Sequence, residues 1–169
     1  MSSSQTIAIA GAGSIGCFVG AMLAAGGRRV ALLARPRVIG EIETNGLRPT
    51  SFEGFDQTIA AKQFALSENP SIMGDAAVVL VAVKSADTIA MAEIIARHTP
   101  PDVVIVSLQN GVGNVAVLRN RLPGRRVLGG MVPFNVIALG RGGFIAPPPA
   151  TSSSSRTRRA PPKSFRCRA

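Results

Sequence analysis

The 169-residue sequence has no tryptophan or tyrosine, one histidine, two cysteines, and nine acidic residues against nineteen basic ones. Each shortage excludes something. With no Tyr or Trp interleaved among the arginines, the formal charge of +10 does not read as a specific nucleic-acid interface. Cys17 and Cys167 make a poor disulfide framework, and neither has metal-ligand spacing, so no metal site is expected. The lone His98, beside Pro100 at the end of a helical pattern, reads as a surface or capping residue rather than a catalyst. No apolar run is long enough to span a bilayer, because Lys or Arg interrupts each candidate. The polar lead Met1–Gln5 does not read as a secretory signal, and a cytoplasmic location is the default expectation.

What the chain does have is unevenly distributed. Hydrophobic residues make up 46%, enough for the core of one α/β domain. Residues 141–169 carry seven Lys or Arg and no Asp or Glu, which leaves 12 basic against 9 acidic residues in 1–140. The basicity is therefore mostly a property of the tail, which could bind polyanions without selectivity. Pro147-Pro-Pro149, Ser152–Ser155 and scattered arginines make 141–169 a low-complexity segment expected to be disordered.

The most informative stretch is Thr6-Ile-Ala-Ile-Ala-Gly-Ala-Gly-Ser-Ile-Gly16. A short strand-forming run leads into G-x-G-x-x-G, and an apolar helical pattern follows over Ser14 to Ala25, stopped by Gly26-Gly27. Dinucleotide binding needs this order: Gly11 for the tight turn, Gly13 for close approach of a pyrophosphate, Gly16 for close packing of helix on strand. The helix start offers free N–H groups to phosphate.

Further strands are expected at Arg29–Ala34, Asp75–Val83, Val103–Leu108 and Arg126–Gly130, with another near Met131–Leu139. Helices are expected at Val38–Thr44, Ala86–Arg97 and Val115–Arg121. Between residues 38 and 68 the pattern loosens; possible strands at Leu47–Phe52 and Thr58–Phe64 suggest an inserted hairpin or meander. This alternation specifies an α/β, Rossmann-like doubly wound parallel sheet in a single domain, residues 1–140, followed by the tail 141–169. Ligands of such sheets bind beyond the carboxyl ends of the strands, where Gly11, Arg35, Lys84 and Asn110 all fall.

Arg35 lies 24 residues after Gly11, near where NAD-specific domains place a carboxylate on the ribose hydroxyls. A guanidinium there instead suits a 2′-phosphate, so NADP(H) is expected over NAD, and Arg37 could assist. The structural alternatives are a solvated loop arginine at 35, a lysine snorkelling to water at 84, and a turn-forming asparagine at 110.

Together Gly11–Gly16, Leu33-Ala-Arg35, Asn45-Gly-Leu47, Val83-Lys-Ser-Ala-Asp-Thr88 and Gln109-Asn-Gly-Val-Gly113 resemble the N-terminal domain of ketopantoate reductases (2-dehydropantoate 2-reductases) over about residues 5–140. The resemblance implies an oxidoreductase that reduces ketopantoate to pantoate with NADPH, on the route to coenzyme A. It implies that Gly11, Ala12, Gly13, Ser14, Ile15 and Gly16 cradle the pyrophosphate and that Arg35 holds the 2′-phosphate. Lys84 and Asn110 would line the cofactor cleft, with Asn110 also facing the 2-oxo acid substrate, and the backbone near Val136 would border the nicotinamide. In that family a second, helical domain supplies the general-acid lysine, so no catalytic residue is expected in this chain, and the chain by itself is expected to be nearly inactive. A one-base shift of reading frame would turn TCN-encoded Ser152–Ser155 into four apolar residues, so the tail reads as a frameshift product of a longer parent. The alternatives are a non-catalytic NADP-binding or regulatory module and a related NADP-dependent 2-oxo acid reductase.

Overall fold

A computed structural model describes residues 5–51, 54–111, 113–133 and 135–146. Its main sheet is built from six parallel strands: β1 (Thr6–Ala10), β2 (Val30–Leu33), β4 (Phe64–Ser67), β5 (Ala76–Val81), β6 (Val104–Ser107) and β7 (Arg126–Gly129). Their order across the sheet is β4-β2-β1-β5-β6-β7. The chain thus winds outward on one side of β1, returns, and winds outward on the other side from β5. The crevice between β1 and β5, where the winding reverses, is the place such sheets present to ligands.

The register explains why the expected site residues cluster at one edge. Ala10 pairs with Leu33 and Val81, Leu33 with Ser67, Val81 with Ser107, and Ser107 with Gly129. One row across the sheet therefore ends all six strands, and the loops that follow leave from a common level. Gly11, Arg35, Glu68, Lys84 and Asn110 stand one to three residues beyond it.

Both faces of the sheet are buried. Side chains alternate across a strand, so Ile9, Val30 and Leu32 face α1 (Ser14–Ala25), where Cys17, Ala21 and Ala24 pack on them. Ala8, Ala10, Ala31, Leu33, Val79 and Val81 face the other way. There they meet Met91, Ala92 and Ile95 of α3 (Thr88–His98) and Leu118 of α4 (Gly113–Arg121). Small residues on β1 let the helices approach closely; uninterrupted apolar runs are what a doubly covered parallel sheet requires. His98, with Arg97, lies in the last turn of α3, where a basic group complements the helix dipole.

The loosely patterned region is where the expectations need correction. Helix α2 runs over Pro36–Asn45, starting two residues earlier than expected, with Pro36 in its first turn. Strand β3 is Arg48–Ser51, while Phe52 and Glu53 lie outside the described residues. The expected strand Thr58–Phe64 does not form. Ile59 makes an isolated antiparallel bridge to Leu47, Ala61–Gln63 form a single helical turn, and only then does the chain enter β4 as the edge strand beside β2. A four-residue edge strand without alternation leaves little periodic signal, and its pairing with β2 is a tertiary choice.

The expected strand near Met131–Leu139 is also shorter and later. Strand β8 is Ile137–Gly140, and β9 (Gly143–Ala146) returns antiparallel to it and pairs parallel with β3, making a separate three-stranded sheet. Gly140, Arg141 and Gly142 all have positive φ in the connecting turn, which two glycines make accessible. Residues 141–146, assigned to the tail by composition, thus complete a hairpin. The rest of that segment, 147–169, lies outside the described residues.

Candidate functional site

A cavity of about 610 Å³ opens at the crevice between β1 and β5. Gly11, Ala12 and Gly13 form one wall, the turn after β2 with Arg35 a second, and Lys84 with Asp87 a third, over a floor that includes Met91 and Ile94. An apolar floor with a few convergent polar groups is the ordinary make-up of a small-molecule site.

The three glycines are required for three different reasons. Gly11 has φ +106°, and a Cβ there would lie 2.6 Å from Val83 Cγ1 and 3.0 Å from the Val83 backbone nitrogen. It serves both the turn and the close approach of the loop after β5. A Cβ on Gly16 would stand 2.1 Å from the Gly11 carbonyl oxygen and 3.1 Å from Ile9 Cγ2. Helix α1 therefore starts against the loop's own carbonyl as well as the strand beneath. A Cβ on Gly13 would meet nothing within 4 Å. The space over Gly13 is open on the cavity side, as a pyrophosphate lying against the backbone requires.

The loop is held from beneath. Ala12 N–H donates to the Leu33 carbonyl (3.3 Å), Cys17 N–H to the Gly13 carbonyl (2.8 Å), and the Cys17 thiol to the Ala12 carbonyl (3.4 Å). Burial, with the Glu41 carboxylate adding to it, pushes the Cys17 thiol up to about 12, so it stays protonated and acts as packing. No side chain caps α1 and no acidic residue occupies its first turn. Its N–H groups and dipole are left for an anion.

Arg35 precedes Pro36, whose ring forces the residue before it to be extended; its φ of −71° and ψ of 152° fit. Its carbonyl accepts from the Val38 and Ile39 N–H groups and starts α2. The neighbouring Arg37 is tied to Glu41 one turn on. Among the described residues Arg35 has no ion pair, so it is the uncommitted guanidinium of the two. Lys84 begins the single helical turn Ser85–Asp87, its carbonyl accepting from Asp87 N–H (2.9 Å). Both basic residues border the same cavity, facing the acidic Glu68 and Asp87. Arg35 and Lys84 balance these two carboxylates in number, Arg37 is paired with Glu41, and the start of α1 adds the positive end of its dipole.

The structure thus brings Gly11, Ala12, Gly13, Arg35 and Lys84 together around one space. Ser14, Ile15 and Gly16 form the first turn of α1 behind it. Asn110, exposed beyond β6, and Val136, half-buried before β8, do not border the cavity. Gln109 and Thr88 stand within the motif stretches of the sequence, but neither they nor Asn114 were singled out there as site residues. Their side chains hydrogen-bond to one another or to the Lys84 and Asn110 loops, and no local spacing rule marks such a set.

Comparison with known proteins agrees with this geometry. Residues 7–146 match the family described as ketopantoate reductase PanE/ApbA. A 2-dehydropantoate 2-reductase of Halobacterium salinarum is 34% identical over 125 residues, covering 73% of this chain and 40% of that protein. Among solved structures, a PanE/ApbA family ketopantoate reductase from Ralstonia eutropha JMP134 superposes with a TM-score of 0.75 at 35% identity, covering 84% of this chain and 46% of that one. D-mandelate dehydrogenase, solved with NADH and anilino(oxo)acetate, shares the fold at a TM-score of 0.69 and 23% identity, covering 84% of this chain and 45% of that one. The chain belongs to the ketopantoate reductase family. It spans about 40% of the length of the Halobacterium relative. Among the described residues no helix is long and apolar enough to cross a membrane.

Proposed function

We propose that this chain binds a nicotinamide dinucleotide in the β1–β5 crevice, NADPH in preference to NADH, and serves the reduction of 2-dehydropantoate to pantoate. The observation that carries the reading is Arg35. It is the uncommitted guanidinium at the cavity, two residues beyond the end of β2, where the adenosine ribose of a dinucleotide lies when its pyrophosphate sits on Gly13. The residues present fit that group: an open space over Gly13, an uncapped helix start, and Arg35 and Lys84 on the lining.

In this reading the dinucleotide supplies the hydride. The chain's own residues bind and orient. The Gly11–Gly16 loop holds the pyrophosphate and Arg35 pairs with the 2′-phosphate through parallel N–H bonds. Lys84 borders the nicotinamide side of the cavity, and Asn110 stands beyond the cavity's edge, on the side where the 2-oxo acid would lie. The general-acid lysine belongs, by family resemblance, to the part of the relatives that this chain does not match.

Fluorescence titration tests the cofactor. NADPH is expected to bind about 10- to 100-fold more tightly than NADH, the worth of one or two charge-assisted hydrogen bonds, and Arg35→Ala is expected to erase the difference. Equal affinity in the native chain would sink the preference. For the substrate, residues 1–146 joined to the unmatched part of the Ralstonia relative should oxidise NADPH with 2-dehydropantoate. A chimera that binds NADPH but ignores this substrate while reducing another 2-oxo acid overturns the substrate assignment.

A further inference from the structure

Four polar residues are buried among the described ones, and three of them, Thr88 (1% exposed), Ser107 (1%) and Asn114 (7%), lie together behind the ends of β5 and β6. A core can dispense with such groups, because well-packed apolar residues of similar volume are about as stable. Their clustering asks what they hold.

The β5–β6 ladder runs out at the bond from Leu108 N–H to the Val81 carbonyl (2.8 Å). Past it, side chains take over. Gln109 Nε2 donates to the Val83 carbonyl (3.0 Å) and to Thr88 Oγ1 (2.7 Å), while its Oε1 accepts from Ser107 Oγ (3.2 Å). Thr88 Oγ1 donates to Asn114 Oδ1 (3.3 Å). Asn114 Nδ2 donates to Ser85 Oγ (3.0 Å) and to the Asn110 carbonyl (2.9 Å). The Val83 carbonyl and the Ser85 hydroxyl flank Lys84 on either side. Among the described residues no buried side-chain nitrogen or oxygen is left without a partner. A fully satisfied network of this kind rigidifies what it touches.

We propose that Thr88, Gln109 and Asn114 are positioning residues that lock the Lys84 and Asn110 loops at a fixed separation, and so preorganise the nicotinamide side of the dinucleotide site. The proposal rests on the NADPH reading. In a sheet of this order the adenosine end lies over β2 and the pyrophosphate over the start of α1, which leaves the nicotinamide end to the β5 and β6 loops. Arg35 is on the far side of β1 from the network, so the two ends of the ligand can be probed separately.

The test uses the 169-residue chain and two probes, NADPH and adenosine 2′,5′-bisphosphate, which carries the phosphorylated adenosine but no nicotinamide. Thr88→Val and Gln109→Leu are expected to weaken NADPH about tenfold, as loss of a few aligned hydrogen bonds does, while the bisphosphate stays within about twofold. Thr88→Ser keeps the hydroxyl and is expected to restore native NADPH affinity. Equal weakening of both probes would mean a merely structural role and overturn the proposal; so would unchanged NADPH binding in both apolar variants. A native chain that binds neither probe overturns the NADPH reading itself, and the positioning role with it.

Discussion

Gly13 and Gly16, three residues apart, are expected to answer the same substitution differently. Gly13 has an extended conformation (φ −81°, ψ −171°) that alanine adopts without strain, and its added methyl would touch nothing of the protein. Gly13→Ala should leave the unfolding midpoint within a few degrees, or raise it by the about 0.4–1 kcal/mol gained from a stiffer unfolded chain. The methyl would occupy the space assigned to the pyrophosphate, so dinucleotide affinity should drop at least about tenfold. Gly16→Ala drives a methyl onto the Gly11 carbonyl oxygen at 2.1 Å, a clash with backbone that cannot swing aside. It should cost about 1–3 kcal/mol in stability, seen as a lowered midpoint even without ligand. Calorimetry on both variants, with and without NADPH, separates the two roles; matching behaviour would contradict them.

A buried thiol on α1 holds its proton more tightly in the folded chain than in the unfolded one. Cys17 on α1 is buried, and Glu41 on α2 adds to the pressure that keeps it protonated. The unfolded thiol titrates near 9.0, the folded one near 12. The folded state holds this proton more tightly, so the contribution to stability is complete below about pH 9 and is lost as pH rises towards 12. Denaturant midpoints measured from pH 8 to 11 should therefore fall more steeply in the native chain than in Cys17→Ala, which has no proton to lose there. Parallel curves would show that this thiol does not titrate as described. Helix α1 and strand β2 were legible in the sequence. An uninterrupted apolar run marked β2 and Pro36 marked its end, while α2 was expected only from Val38; Ala61–Ser67 carried no period, because its four-residue strand takes its order from β2 beside it.

For the molecule as a whole, a ligand that binds only the folded chain raises its stability by mass action. NADPH at about one hundred times its dissociation constant should add about 2.7 kcal/mol, a shift of several degrees in the unfolding midpoint. NADH at the same concentration, bound about 10- to 100-fold more weakly, should add only about 0.4–1.4 kcal/mol, because the gain follows the logarithm of the affinity. A midpoint insensitive to both would be incompatible with a dinucleotide site in the β1–β5 crevice. The shift reports on the main sheet as a unit, since β1 and β5 supply the crevice and hold the neighbours on either side.

What the sequence determined by itself is local: the glycine turn between β1 and α1, the strand–helix alternation outside residues 46–74 and 131–146, and the placing of Arg35 and Lys84 just past strand ends. Each follows from a few adjacent residues acting through sterics, helix capping or alternation, which the chain carries wherever it goes. Tertiary structure decided the rest. It placed β4 beside β2, paired β3 with β9 across the chain, left Asn110 outside the cavity, and set Gln109, Thr88 and Asn114 in hydrogen-bond contact. The last of these depends on the register that puts Val81 opposite Ser107, and a register between strands some 26 positions apart is fixed by packing of both sheet faces at once.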